Sequence, residues 1–223
     1  MSEAREQILA RIRSALGDVP SDEQPGDVAA PREYRRGVAM EPSTLVPRFE
    51  ERLRDYGAGC DRTLSSDLAD AVIGVCAELG LRSLVIPPDV PAGWRPDGVA
   101  LREDHGLSTA ELDEVDGVLS GCAVAIAETG TLVLDGRGAS GRRAITLVPD
   151  HHICVVTVDQ VVAIVPEGIA RVAPSVLEHR SPITFVSGPS ATSDIELNRV
   201  EGVHGPRHLH VLIVSDEAEP TDD

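Results

Sequence analysis

Short runs of aliphatic residues constrain the fold of this chain most strongly. The longest extends from Val115 to Asp135 and is apolar and rich in strand-forming residues, except for Glu128-Thr129-Gly130 at its centre. Hydrophobic residues are 42% of the 223 residues but aromatic residues only 2%, so the core must consist of Val, Leu, Ile and Ala. Such aliphatic strands are typical of parallel sheets that are covered by helices.

The order of patterns along the chain predicts an α/β fold. Periodic apolar residues predict helices over residues 43–56 and 66–79, and Gly80 is expected to end the second. A helix-like region begins at Asp159 and continues over residues 166–177. Besides those within the 115–135 run, the predicted strands are 60–64, 83–86, 153–158, 183–186 and 209–214. This alternation predicts a mostly parallel sheet that is flanked by helices.

The N-terminal residues are predicted to form an appendage to the main domain, which we place at residues 41–215. Residues 2–16 carry apolar side chains on one helical face. Residues 18–37 are rich in Pro, Gly, Asp and Glu, which is typical of a mobile linker. The helix could dock on a partner or on a second copy of the chain, or pack back on its own domain. Residues 216–223 form an acidic tail.

Charge and cysteine content exclude several classes of function. The formal net charge is −17, which argues against nucleic acid and anionic membranes as partners. All 20 basic residues are Arg, so lysine Schiff bases and a Walker-A loop are excluded. The four cysteines are scattered without a C-x-x-C motif, so we expect neither an iron–sulfur cluster nor structural zinc in this chain. No apolar run is long enough to span a membrane, and residues 1–16 have no apolar core of the kind that a signal peptide needs, which predicts a cytoplasmic protein.

A polar loop is predicted between the strands 183–186 and 209–214. Residues 187–196 are rich in Gly, Ser and Thr, and residues 202–206 follow as Gly-Val-His-Gly-Pro. Small residues after a strand leave backbone N–H groups free to bind an anion. The alternative is a turn whose hydroxyl groups only cap a short helix.

Glu128 is the candidate acid/base or nucleophilic residue, because a carboxylate within an apolar run is costly to ionise unless it is paired. The alternative is a strand-end carboxylate that is paired with an arginine or with backbone N–H groups. Arg142 and Arg143 follow a Gly-rich loop, residues 136–141, and could hold a carboxylate or phosphate. The loop satisfies G-x-G-x-x-G, but Pro149 leaves no room for the helix of a dinucleotide site. The spacing of His204, His208 and His210 predicts no metal site.

Two stretches identify the chain by resemblance. Residues 125–134, which contain Glu128-Thr129-Gly130, and residues 188–196, followed by residues 202–206, resemble the lactate utilization protein C family, whose domain is the LUD domain. The resemblance covers residues 41–214. It implies a fold like that of the ribose-phosphate isomerase, glucosamine-phosphate deaminase and CoA-transferase group. It also implies a cytoplasmic role in oxidising L-lactate to pyruvate, together with iron–sulfur partner proteins.

These interpretations give one predicted site, in which the two polar stretches meet at one edge of a sheet and bind a small anion. Its residues are Glu128, Thr129, Gly130, Arg142, Arg143, Gly188, Ser190, Thr192, Asp194, Glu196 and His204. The ligand and cofactor stay unassigned. Whether the chain is itself an enzyme also stays open, because two other classes fit: a non-catalytic assembly or regulatory subunit, and an independent CoA-transferase-like or isomerase-like enzyme that uses Glu128 as its nucleophile.

Overall fold

A computed structural model describes residues 3–20, 22, 24, 27, 33–193, 199–202 and 204–216. The chain divides into two compact units, Met1–Tyr34 and Arg35–Asp223. The first unit contains one helix with no buried residue, and the second contains all the strands of the described part of the chain. No helix in that part is both long and apolar enough to cross a membrane.

The described residues form five helices and twelve strands. The helices are α1 (Glu3–Ala15), α2 (Pro42–Asp55), α3 (Leu68–Leu79), α4 (Thr109–Asp113) and α5 (Val165–His179). The strands are β1 (Gly59–Leu64), β2 (Ser83–Ile86), β3 (Ala100–Glu103), β4 (Gly117–Gly121), β5 (Val124–Ile126), β6 (Thr131–Leu134), β7 (His151–Thr157), β8 (Val161–Val162), β9 (Thr184–Val186), β10 (Ala191–Ser193), β11 (Arg199–Glu201) and β12 (His208–Ser215).

A six-stranded, fully parallel sheet is the centre of the second unit, with the strand order β1-β12-β7-β4-β2-β3. Its central strand β7 pairs with β12 from His151 to Thr157 and with β4 from His151 to Val155. The middle of β7 is fully buried, because both faces of the sheet are covered. The structure therefore confirms the predicted α/β fold with a mostly parallel sheet and flanking helices.

A second, four-stranded sheet has the order β8-β5-β6-β9. Strand β5 runs antiparallel to β6 and parallel to β8, and β6 runs antiparallel to β9. Strands β10 and β11 form a separate antiparallel hairpin, in which Ala191 lies opposite Glu201. The sequence predicted only a loop here, because three-residue strands rich in Ala, Thr and Ser carry no alternating apolar pattern.

The core is layered on both faces of the six-stranded sheet. Helix α3 covers one face, where Leu119, Ile153 and Leu212 of adjacent strands pack against Val72. Helix α2 and the four-stranded sheet cover the other face, and Phe49 of α2 is fully buried there. Helix α5 covers the far face of the four-stranded sheet. The two sheets are thus packed against each other by aliphatic side chains.

Local sequence signals account for several element boundaries. Gly80 ends α3 with φ +70°, a left-handed conformation that glycine adopts without strain. Ser108 begins α4 with a capping box, in which its hydroxyl accepts from the Glu111 N–H and the Glu111 carboxylate accepts from the Ser108 N–H.

Two regions differ from the sequence prediction. The helix-like region expected from Asp159 is instead a short 3-10 turn followed by β8, because Val161 and Val162 pair with β5. Helix α5 begins only at Val165 and continues through Pro174. Strand β3 was not predicted at all, since Ala100–Glu103 is short and half polar and lies at the edge of the sheet.

Packing of α5 on the four-stranded sheet gives a stability prediction. Ile126 is fully buried and faces Gly168 of α5, where a Cβ atom would lie 2.7 Å from Ile126 Cδ1. We expect Ile126→Ala to lower the free energy of unfolding by about 2–5 kcal/mol, because it leaves a cavity at this contact. The matched control, Ile169→Ala on the exposed side of α5, removes a side chain that is 52% exposed and should cost less than about 1 kcal/mol. Urea unfolding measures the free energy of unfolding of both variants. An equal decrease in the two variants would contradict the packing of Ile126 against α5.

Candidate functional site

A cleft of about 220 Å³ lies where the two sheets meet, beside the end of β9 and the amino ends of β7 and β12. The polar residues that line it are Arg143, Thr146, His152, Thr184, Ser187, Ser190 and His204. Gly188, Gly205, Pro189, Pro206, Phe185, Val186 and Leu209 complete the lining. Ligand sites in open α/β sheets usually lie outside the carboxyl ends of the strands. This cleft lies at the amino ends of β7 and β12 instead, which is the opposite end of the main sheet.

Arg143 contributes the positive charge of the cleft. It begins a 3-10 turn, Arg143–Thr146, which is anchored by the fully buried Ile145. Its Nη1 atom donates to the Thr146 carbonyl oxygen at 2.8 Å, and its Nη2 atom donates to the His204 carbonyl oxygen at 3.3 Å. No carboxylate of the described residues pairs with it. Burial lowers the pKa of the Arg143 guanidinium, as expected for a cation that is partly removed from water.

The Ser190 and His204 segments hold each other in place at the cleft. The Ser190 hydroxyl accepts from the His204 N–H at 3.1 Å, and the Ser190 N–H donates to the Pro206 carbonyl oxygen at 2.8 Å. The Ser190 carbonyl oxygen accepts from the Gly202 N–H. The backbone N–H of Ser190 is therefore occupied, so its hydroxyl is the group that can reach a ligand.

His152 lines the cleft although only 2% of it is exposed. It is the second residue of β7, and its side chain points to the face that packs on α2 and the four-stranded sheet. Its Nε2 atom lies 2.8 Å from Oγ of Ser120, which is fully buried in β4. The polar pair is thus embedded in an aliphatic core and fixed by its hydrogen bond.

The two polar stretches of the sequence meet through a chain of hydroxyl groups. Oγ1 of Thr129 lies 2.7 Å from Oγ1 of Thr131, which lies 2.7 Å from Oγ of Ser187 in the cleft. The reason is the antiparallel pairing of β6 with β9, which places the start of β6 beside the end of β9.

Glycines of the two stretches both face the end of helix α2. Gly130 has φ +58°, and a Cβ there would lie 2.7 Å from Cβ of Arg52. Gly188 has φ +80°, and a Cβ there would lie 2.6 Å from Cβ of Tyr56. The close approach of α2 therefore requires glycine at both positions, independently of any ligand.

Glu128 does not line the cleft. Its N–H donates to the Ala163 carbonyl oxygen, and its carboxylate pairs with Arg35 at 3.4 Å. The side chain is 34% exposed, so the apolar burial that the sequence suggested is not present. The structure places Glu128 in the arrangement that was the alternative, a strand-end carboxylate that is paired with an arginine.

Arg142 also points away from the cleft. Its Nε and Nη2 atoms donate to the two carboxylate oxygens of Asp104, and Nη2 also donates to the Leu107 carbonyl oxygen. Burial opposes ionisation of Asp104 most strongly, but the hydrogen bonds from Arg142, Leu107 and Gly106 together outweigh it and lower the pKa of Asp104. Arg142 is therefore held in a structural ion pair, while its neighbour Arg143 faces the cleft.

Of the predicted site residues, Thr192 lies close to a gap in the described chain, and Asp194 and Glu196 lie within that gap. Thr192 lies opposite Val200 in the β10–β11 hairpin, and Asp194 and Glu196 lie outside the described residues. The other two histidines of the His204, His208 and His210 group have partners of their own. The ring of His208 stacks on the ring of His151 with 4.5 Å between the ring centroids, and His210 forms a hydrogen bond with Asp61. Within the described residues no group of His, Cys, Asp and Glu could hold a metal ion.

Four polar residues of the cleft were not predicted as site residues: Thr146, His152, Thr184 and Ser187. His152 lies directly before the predicted strand 153–158, and nothing in that pattern marks it as a site residue. The available signal was a polar side chain directly before the apolar run Ile153-Cys154-Val155-Val156. Only the fold showed that this position opens into a cleft.

These features define an α/β protein in which a parallel sheet packs on a smaller mixed sheet, with a cationic cleft where the two meet. The LUD domain family matches residues 101–214. Lactate utilization protein C of Deinococcus radiodurans is 46% identical over 215 residues, which cover 96% of each chain. Lactate utilization protein C 1 of Bacillus mycoides is 34% identical and covers 96% of this chain and 97% of its own length.

A solved structure is also similar. The crystal structure of a DUF162 family protein from Deinococcus radiodurans superimposes with a TM-score of 0.70 at 41% identity, and the match covers 79% of this chain and 100% of that one. The chain therefore belongs to the LUD domain family. This confirms the family that the two polar stretches predicted.

The ion pair between Asp104 and Arg142 gives a pH prediction. Because the pKa of Asp104 is lower in the folded chain than in the unfolded one, the pair stabilises the fold above about pH 4 and loses this effect as the pH falls through the folded-state pKa. We expect Asp104→Asn to cost about 2 kcal/mol at pH 7, since Asp104 is almost buried and Arg142 is partly exposed.

Urea unfolding of Asp104→Asn and of the unchanged chain at pH 7, 5 and 3.5 measures the effect. The difference between the two is expected to begin to shrink at the lowest pH, because Asp104 then binds a proton in the unfolded chain more readily than in the folded chain. Asp97→Asn, at an exposed aspartate, is the control for the change in net charge. A difference that is the same at all three pH values would contradict the role of the ionised carboxylate.

Proposed function

We propose that this chain takes part in lactate utilization and binds a small organic carboxylate in the cleft around Arg143. The names of its relatives from Deinococcus radiodurans and Bacillus mycoides support the process. The observation that supports the ligand is Arg143, a half-buried cation without a carboxylate partner in the described chain. In a protein of net charge −17, such a cation is an exception that an anionic ligand would explain.

The surroundings of Arg143 favour a carboxylate. A guanidinium presents parallel N–H groups that match the two oxygens of a carboxylate. The Ser190 hydroxyl accepts from the His204 N–H and keeps its own proton for a ligand oxygen. Two neutral carbonyl oxygens now accept from Arg143, so the side chain is already fixed in position before a ligand binds.

The size of the cleft favours a ligand of few atoms. Sites for drug-sized ligands have volumes of about 300–1,000 Å³, whereas this cleft has about 220 Å³. Lactate or pyruvate fits this size better than a nucleotide or coenzyme A. The size also speaks against the CoA-transferase alternative, as does the position of Glu128 outside the cleft.

Oxidation of L-lactate to pyruvate needs an acceptor for two electrons. The four scattered cysteines provide no cluster motif, so the proposal places the electron acceptor in iron–sulfur partner proteins and the carboxylate site in this chain. Within this proposal Arg143 holds the carboxylate and Ser190 contacts it. Glu128, which pairs with Arg35, has no direct contact with the ligand.

Calorimetric titration with L-lactate tests the site. We expect L-lactate to bind and its uncharged analogue lactamide not to bind, because Arg143 selects for the negative charge. Arg143→Gln should weaken L-lactate binding by about 10- to 100-fold, since a hydrogen bond to a charged group contributes about 1.5–3 kcal/mol.

The control variant is Arg82→Gln, which removes an exposed guanidinium and should bind L-lactate as the unchanged chain does. Urea unfolding of each variant shows whether the fold is preserved. Equal binding by Arg143→Gln and the unchanged chain, or equal binding of lactate and lactamide, would refute the anion site.

A second role is supported by helix α1. Ile8 and Ile12 on its apolar face, and Leu16 directly after its end, are 48–58% exposed, and the first unit buries none of the residues of α1. A 13-residue helix is marginally stable by itself. We therefore propose that α1 docks on an iron–sulfur partner of the lactate-oxidising system and acts as an assembly arm.

Co-purification with the iron–sulfur proteins tests this role. Deleting residues 1–34 keeps Arg35 and its pair with Glu128, and should abolish co-purification if α1 is the contact. Ile12→Asp should have the same effect, because it places a charge on the apolar face. Ser14→Asp adds the same charge at an exposed position on the polar face and should leave association unchanged. Unchanged association after the deletion would refute docking.

A further inference from the structure

A second cavity lies at the carboxyl end of the main sheet, opposite to the cleft around Arg143. It has a volume of about 350 Å³. It is lined by Val46 of α2, by residues 62–64 of β1, by Asp67 directly before α3, by Val158 directly after β7, and by Ile213 and Ser215 of β12. Strand β7 spans about 20 Å between the two sites, since a strand rises about 3.3 Å per residue.

The topology of the sheet explains why a cavity forms at this place. Strand β12 lies between β1 and β7. After β1 the chain continues on the face that α3 covers, where Leu68 is buried. After β7 it continues on the opposite face, where Val158 and Val161 pack. The two connections diverge at the end of β12 and leave a crevice, and such a crevice is the usual position of ligand sites in open α/β sheets.

The cavity has an aliphatic floor. Ile213 and Val46 are only 1% and 2% exposed, and Leu64 and Val158 extend the apolar surface. Small-molecule sites typically have volumes of about 300–1,000 Å³ and apolar walls with a few polar groups. The volume and the lining therefore fit a ligand with an apolar body that is larger than the small acids proposed for the other cleft.

Arg62 contributes a rigid wall of the cavity. Its Nε atom donates to Oε1 of Glu50 at 2.6 Å, and its Nη2 atom donates to Oε2 at 3.1 Å. The Glu50 side chain is only 10% exposed and lies one turn after Val46 in α2. This bidentate pair compensates the charge of Arg62 and fixes the plane of its guanidinium. A guanidinium fixed in this way is a flat surface on which an aromatic ring can stack.

Asp67 gives the cavity its uncompensated charge. Its carboxylate accepts from the Ser66 hydroxyl at 2.8 Å, and no cation of the described chain pairs with it. A second carboxylate, that of Asp216, lies close to the same rim, where it accepts from the Ser65 hydroxyl at 2.6 Å. The rim therefore repels anions and offers hydrogen-bond acceptors to a neutral ligand that carries hydroxyl or N–H groups.

We propose that this cavity binds a nucleoside, which joins a flat heterocycle to a sugar with hydroxyl groups. The base lies between the aliphatic floor and the guanidinium of Arg62, and Asp67 accepts hydrogen bonds from the sugar hydroxyl groups. A nucleotide is excluded, because the carboxylates at the rim repel its phosphate. The site is separate from the proposed carboxylate site and does not depend on it.

Calorimetric titration with adenosine and with AMP tests the proposal. The unchanged chain should bind adenosine at least tenfold more tightly than AMP. Asp67→Asn should weaken adenosine binding about tenfold, as expected for the loss of a hydrogen bond to a charged group, and should reduce the discrimination against AMP. Asp70→Asn removes an exposed carboxylate from the same end of α3 without touching the cavity, and should bind adenosine as the unchanged chain does.

Thr63→Phe fills part of the cavity with a residue that strands accommodate well, and should abolish adenosine binding. Urea unfolding of each variant shows that the fold is preserved. Arg143→Gln alters only the other cleft and should leave adenosine binding unchanged. No adenosine binding by the unchanged chain, equal binding of adenosine and AMP, or full binding by Thr63→Phe would each overturn the proposal. An equal effect of Asp67→Asn and Asp70→Asn would overturn the role of Asp67.

Discussion

The packing of the four-stranded sheet and helix α2 on one face of the parallel sheet is the constraint on which the rest of the structure depends. Ala125 and Leu132 of the small sheet, Phe49 of α2 and Val211 of the main sheet share one buried cluster. Burial of such side chains is worth about 1.5–3 kcal/mol each. This packing requires α2 to approach so closely that Gly130 and Gly188 have no room for a side chain. It also places the end of β9 beside the amino ends of β7 and β12, where the cleft lies.

Polar groups are admitted to this aliphatic layer only where they are paired. Ser120 and His152 bond to each other between the sheets, and Thr131 joins Thr129 to Ser187 at the edge of the small sheet. A partly satisfied polar group in such a core is costly. The partly buried charge of Arg143, which has only neutral oxygen partners among the described residues, is therefore the feature that the proposed ligand would complete.

Arg142 and Arg143 are neighbours in the chain, but their side chains have different partners and different expected roles. Arg142 lies against Asp104 and stabilises the loop between β3 and α4. Arg143 starts the next 3-10 turn and faces the cleft, with only neutral oxygen atoms as partners. The same side chain therefore serves as a structural ion pair at one position and as a candidate anion contact at the next.

The sequence by itself determined the fold class, most element positions and the family. Aliphatic strands, Gly80 after α3 and the stretches around Glu128 and Ser190 are local signals, and they need no knowledge of distant contacts. Sequence reasoning also placed Arg143, Ser190 and His204 in one candidate site, and these three do line one cleft.

The tertiary structure decided which polar residues face the cleft and which do not. It turned Glu128 towards Arg35 and Arg142 towards Asp104, and it placed His152 in the lining of the cleft. These outcomes depend on the register of strands far apart in the chain, such as β6 with β9 and β7 with β12. A shift of one residue in such pairing moves a side chain to the other face of a sheet. Residue types alone carry no information about that register, which is set by the burial of the whole layer.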